Sequence, residues 1–79
     1  MKQEEVVVYV SDSCKECEKV LSWLDEQNIS YTKKNTTKNK EYLKELQKER
    51  VYATPAIFTK KYKILGFQKS KLINALIFS

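Results

Sequence analysis

Seventy-nine residues leave room for one hydrophobic core and a single domain over residues 1–79, and no space for a separate substrate-binding domain. Hydrophobic residues make up 42% of the chain and charged residues 32%, a balance that argues against a disordered polar chain. The formal net charge is +5, yet only Tyr42 and Tyr52 interleave with the lysines and no nucleic-acid motif accompanies them, so the charge reads as a solvated surface or a steering device.

The segment Met1-Lys2-Gln3-Glu4-Glu5 runs into five apolar residues, too few for the apolar part of a secretory signal or for a membrane span. A cytoplasmic location is therefore expected. Those five residues, Val6-Val7-Val8-Tyr9-Val10, form a β-branched and aromatic run that reads as a central strand buried on both faces. Ser11-Asp12-Ser13 follows with helix-capping chemistry. Cys17, Val20, Leu21 and Leu24 then recur at helical spacing as one buried stripe, and Asn28 is a helix stop. Trp23 falls roughly opposite that stripe, where partial burial against a neighbouring element is expected, with docking of a partner as the alternative.

Ile29-Ser30-Tyr31-Thr32 alternates as a second strand should. Helical spacing returns over 37–50, with Tyr42, Leu43 and Leu46 as the apolar stripe. Ala53-Thr54-Pro55 breaks it. Ala56-Ile57-Phe58-Thr59 and Tyr62-Lys63-Ile64-Leu65 read as a strand pair around Lys60-Lys61, a turn without the Asn-Gly chemistry that tight hairpins prefer. Gly66 ends the last strand, and Leu72, Ile73, Leu76 and Ile77 pattern a final helix. The order is βαβαββα: a parallel crossover first, antiparallel strands after, and a four-stranded mixed sheet with helices on both faces.

The two cysteines, Cys14 and Cys17, stand three apart between a buried strand and a helix. Cys14 is placed at the helix N-terminus, where unpaired N–H groups and the positive end of the helix dipole favour a thiolate. Lys15 adds to this effect and Glu16 opposes it. Cys17 lies one turn in, on the buried stripe. That asymmetry assigns Cys14 to attack a substrate disulfide and Cys17 to resolve the resulting mixed disulfide. A zinc site needs about four ligands, and two cysteines without histidine supply it only across a dimer; no metal or cofactor is expected. A Cys–His nucleophile is excluded by the absence of histidine. Two buried cysteines with a purely structural role remain the competing interpretation.

Three stretches together resemble the glutaredoxin-like proteins, and among them the short redoxins that reduce ribonucleotide reductase: Val7-Val8-Tyr9 leading to Cys14-Lys15-Glu16-Cys17, then Ala53-Thr54-Pro55-Ala56-Ile57-Phe58, then Gly66-Phe67-Gln68 with Leu72. The resemblance implies a thioredoxin-like fold and a cis Thr54–Pro55 bond facing the cysteines. It implies a substrate groove formed by Thr54, Pro55, Gly66 and Phe67. Thr54 would offer main-chain hydrogen bonds to an extended segment. The chain departs from the glutathione-using members at three places: Lys15 and Glu16 replace Pro and an aromatic, Ser11 replaces a lysine, and Gln68 and Lys69 replace acidic residues. The resemblance thus implies an electron carrier for disulfide-containing proteins, recharged by a thioredoxin reductase-like enzyme; nothing in the sequence demands more than a monomer, which is the expected state. Recharging by glutathione or another small thiol is the alternative. A basic binding module for nucleic acid or an acidic protein, without redox turnover, is the reading from a different class.

Overall fold

The structure, a computed structural model, describes residues 5–77; the first four residues of the amino-terminal segment and the last two of the chain lie outside it. Strand β1 (Val7–Val10) is followed by α1 (Lys15–Glu26), β2 (Thr32–Asn35), α2 (Lys40–Lys48), β3 (Ala56–Phe58), β4 (Lys63–Leu65) and α3 (Lys69–Leu76). The four strands lie in the order β2-β1-β3-β4. β1 pairs in parallel with β2 and antiparallel with β3, and β3 pairs antiparallel with β4. This is the expected βαβαββα mixed sheet.

Alternation along β1 divides the core. Val8 and Val10, with Val6 ahead of them, join Cys17, Val20, Trp23 and Leu24 from α1 and Leu72 and Ala75 from α3. Tyr9 points the other way, to Leu46 of α2, Val51 and Ala56. The helices therefore cover both faces. Trp23 is only 5% exposed and belongs to the first cluster, so it is a core residue and not the partly buried one its helical position suggests.

Three other expectations shift. The second strand is Thr32–Asn35 and not Ile29–Thr32. Backbone pairing with β1 sets its place, from Val7 opposite Thr32 to Val10 opposite Asn35, whereas Ile29 and Tyr31 pack on the core from the preceding loop. An edge strand needs no apolar face, so its hydrophobic alternation is a poor guide. Helix α2 is shorter than 37–50, because the Asn35 side chain accepts from the N–H groups of Thr37 and Lys38, and Asn39 caps the helix through Glu41 N–H. Leu43, expected on its buried stripe, is 37% exposed.

Helix α1 ends at Asn28, whose φ is +57°, with Asn28 N–H donating to Asp25 O and Ile29 N–H to Leu24 O. α2 ends the same way at Arg50, φ +61°, through Arg50 N–H to Gln47 O and Val51 N–H to Leu46 O. Both are Schellman closures made with a side-chain-bearing residue in the left-handed region. In the β3–β4 turn, Thr59 supplies the missing turn chemistry. Its Oγ1 accepts from the N–H groups of Lys61 and Tyr62, while its N–H donates to Tyr62 O. Among the described residues no helix is long and apolar enough to cross a membrane.

Candidate active site

The end of β1 delivers the chain to the site. Thr36 returns both its N–H and its hydroxyl to Val10 O, at 2.8 and 3.0 Å, and the Asp12 carboxylate accepts from Asn35 Nδ2. Asp12 N–H also donates to Thr37 Oγ1. These bonds pin the loop between β1 and α1 to the end of β2. Ser13 then takes a φ of +57°, and Cys14 becomes the N-cap of α1. The expected Ser11-Asp12-Ser13 cap is thus displaced by the cysteine itself: Cys14 Sγ accepts from Cys17 N–H at 3.1 Å.

Cys14 and Cys17 form a disulfide, with Cα atoms 5.2 Å apart. The two sulfurs are not equivalent. Cys17 is 2% exposed within the core, whereas Cys14 is only partly buried. One backbone donor of the first turn of α1, Cys17 N–H, faces Cys14 Sγ, and Cys17 itself is buried, which is the difference in burial the sequence pattern predicts.

The Thr54–Pro55 peptide bond is cis. Thr54 O lies 3.9 Å from Cys14 Sγ and Thr54 Oγ1 lies 4.0 Å from it. Ser11, which stands where the glutathione-using members carry a lysine, shares a 2.7 Å hydrogen bond with Thr54 Oγ1. Pro55 is fully buried, and its carbonyl accepts from Gly66 N–H at 2.8 Å. Gly66 has a φ of +78°, a conformation that favours glycine. Phe67 is partly buried against the main cluster, and its N–H donates to Glu16 Oε1 at 3.0 Å. The structure thus brings Cys14, Thr54, Pro55, Gly66 and Phe67 to one end of the sheet. It adds Ser11 and Glu16, which the sequence had not placed in the substrate groove.

A shallow cleft of about 560 Å³ runs along α1 from Lys15 past Trp23 to Phe67 and Lys69; neither cysteine lines it. Among the described residues no three side chains of the His, Cys, Asp or Glu kind gather into a metal-binding cluster. On the opposite face of the sheet, Glu45 accepts from Tyr9 Oη and from Lys34 Nζ, each at 2.9 Å. Hydrogen bonding from Lys34 holds the Glu45 carboxyl below its ordinary range. Burial, then the bond to Glu45, raises the Tyr9 hydroxyl above its own. This cluster braces β1, β2 and α2 and does not reach the dithiol.

A cysteine pair capping a helix, opposed by a cis-proline loop, is matched at the level of sequence by the glutaredoxin family model, which covers residues 6–63. The chain belongs to the glutaredoxin family. It is 28% identical over 67 residues to the glutaredoxin-like protein NrdH of Lactococcus lactis subsp. cremoris strain MG1363, a match spanning 85% of this chain and 93% of that one. A stretch of 42 residues is 43% identical to the global transcriptional regulator Spx 2 of Bacillus anthracis; it covers 53% of this chain but only 32% of that protein's length. Among solved structures, the thioredoxin-like protein BC3987 superposes with a TM-score of 0.84 at 26% identity, over 90% of this chain and 99% of the other. This glutaredoxin therefore has the thioredoxin-like fold and carries the Cys-x-x-Cys redox disulfide of a thiol–disulfide redox protein.

Proposed function

We propose that this glutaredoxin is a cytoplasmic, monomeric dithiol carrier that reduces protein disulfides through Cys14 and Cys17. The observation that carries the proposal is the asymmetry of the pair: an accessible Cys14 receiving a backbone N–H at 3.1 Å, and a buried Cys17. With the disulfide reduced, that N–H and the α1 terminus favour a thiolate on Cys14. The thiolate attacks one sulfur of the substrate disulfide, forming a mixed disulfide and releasing the other substrate sulfur as a thiolate. Cys17 then attacks Cys14 Sγ. The Cys14–Cys17 disulfide closes, the second substrate thiolate leaves, and two electrons have passed to the substrate.

Thr54, Pro55, Gly66 and Phe67 form the wall on which we propose the substrate segment lies, with the Thr54 main chain available to an extended strand. Burial of Pro55 and the Ser11–Thr54 bond support a preformed wall that needs no reordering when substrate arrives. Reduction of the closed disulfide by a thioredoxin reductase-like enzyme returns the two electrons. This choice rests on Ser11, Gln68 and Lys69, which stand where glutathione-using relatives carry glutathione contacts. Ribonucleotide reductase is proposed as an acceptor on the resemblance to the short redoxins.

The test follows NADPH consumption with oxidised protein, a disulfide-bonded acceptor protein, and either thioredoxin reductase or glutathione with glutathione reductase. Turnover with thioredoxin reductase alone is expected. Turnover only through glutathione would overturn the proposed reductant and leave the dithiol mechanism in force.

A second reading rests on the 43% identity to the transcriptional regulator. In it the pair is a switch that alters binding and turns over slowly with either reductant. Salt-sensitive binding to a macromolecule that changes with the redox state of Cys14 and Cys17 would favour it.

A further inference from the structure

Glu16 lies between the two cysteines and is exposed, yet it is not free to sweep solvent. Its Oε1 accepts from Phe67 N–H at 3.0 Å, across 51 positions of sequence. The same oxygen would lie 3.4 Å from a Cβ placed on Gly66, so the carboxylate is seated against the Gly66-Phe67 backbone. Among the described residues the ion pair is Lys34–Glu45, on the far face, and Glu16 takes no part in it. A fixed negative charge without an ion-pair partner therefore stands at the lip of the dithiol site.

The Glu16 contact also closes a circuit. Cys14 approaches Thr54 O, Pro55 O accepts from Gly66 N–H, Phe67 N–H donates to Glu16, and Glu16 returns along the first turn of α1 to Cys14. The Phe67 amide, a donor that would suit the carboxylate of an incoming ligand, is already occupied by a carboxylate of the protein itself.

We propose that Glu16 is a specificity-determining residue that selects against anionic thiols at Cys14, by placing its own carboxylate on the Phe67 N–H. This deepens the proposed function, on which its biological meaning rests. Two groups carry the discrimination. The charge of Glu16 repels a negatively charged thiolate reagent, and the occupied amide denies it a backbone donor. Neutral, cationic or polypeptide reductants meet neither obstacle to the same degree.

The reaction used as a probe is reduction of the Cys14–Cys17 disulfide by a small thiol. One thiolate attacks Cys14 Sγ and frees the Cys17 thiolate; a second displaces Cys14, giving the probe disulfide and the protein dithiol. Glutathione, which is net anionic, is compared with cysteamine, which carries a cationic amine. Both are used with the full chain at low salt. Glu16→Gln keeps an oxygen for Phe67 N–H and removes the charge. It is expected to raise the glutathione-to-cysteamine rate ratio by about threefold to tenfold, a gain that shrinks at high salt. Glu16→Asp should keep a low ratio. Alkylation of the reduced protein by iodoacetate against iodoacetamide should shift in the same direction by a similar factor.

A ratio unchanged within twofold in Glu16→Gln, for both reagent pairs, overturns the proposal. So does a raised ratio that is insensitive to salt. Neither result touches the carrier mechanism, which instead fails if the protein supports no reductase-driven turnover while the charge ratios still shift.

Discussion

Ser11 and Thr54, 43 positions apart, share a hydroxyl–hydroxyl hydrogen bond 2.7 Å long, and Thr54 Oγ1 is also the hydroxyl that faces Cys14 Sγ at 4.0 Å. The bond joins the end of β1 to the cis-proline loop, adding a side-chain contact just beyond the β1–β3 ladder. Ser11→Ala is expected to cost about 1 kcal/mol of stability. It should also lower kcat/KM for a protein disulfide a few-fold, because Thr54 loses the partner that orients it. Thr54→Val should cost a similar amount, and the double variant less than the two losses together. Urea unfolding and steady-state kinetics on the three variants check this.

A second prediction concerns Arg50, which closes α2 with a φ of +61°. A side chain in the left-handed region carries a steric cost that glycine does not. Arg50→Gly is therefore expected to stabilise the protein by about 0.5–1 kcal/mol, with redox turnover unchanged. Thermal unfolding measures it, and a loss of stability would contradict the assigned cap.

Trp23 provides the third. At 5% exposure it belongs to the main core cluster, so Trp23→Ala should cost about 3–5 kcal/mol, a large share of the stability of a small domain. Denaturant titration monitored by far-UV circular dichroism reads the loss. A cost under about 1 kcal/mol would contradict its place in the core.

The fourth follows from Glu45. Its carboxyl is held below the ordinary value of 4.5, chiefly by the hydrogen bond from Lys34 and then by that from Tyr9. A carboxyl whose folded-state value is depressed contributes stability that is present above pH 4.5 and is lost as pH falls through the lower folded-state value. Glu45→Gln should thus be less stable than the parent at pH 7, with the gap closing as pH drops below about 4. The contribution is modest, because the pair is partly open to solvent. A gap independent of pH would place the effect in packing and not in charge.

Much of this molecule is legible in residues that act locally. The valine run, the helical stripe through Cys17, the stop at Asn28 and the Thr54–Pro55 step each carry their own signal, and together they define the fold and one side of the site. What the sequence hides is set by partners distant along the chain. β2 is positioned by its ladder with β1, so its polar residues Thr32, Lys33, Lys34 and Asn35 gave no strand pattern of their own. Trp23 is buried in a cluster to which the sheet and α3 both contribute, partners its own helix does not reveal. Ser11 and Glu16 join the site through contacts 43 and 51 positions long, and nothing in their immediate neighbours announces either bond. Arg50 closes α2 without the glycine that usually marks such an end.

The proposed mechanism divides labour between an attacking Cys14 and a resolving Cys17. Its most direct measurement is the intact mass of reduced Cys17→Ser and Cys14→Ser variants after incubation with a disulfide-bonded acceptor protein. Cys17→Ser is expected to accumulate a stoichiometric mixed disulfide through Cys14 that dithiothreitol releases, while Cys14→Ser forms none and supports no turnover. An adduct formed equally by both variants, or turnover that survives the loss of Cys14, would overturn that division.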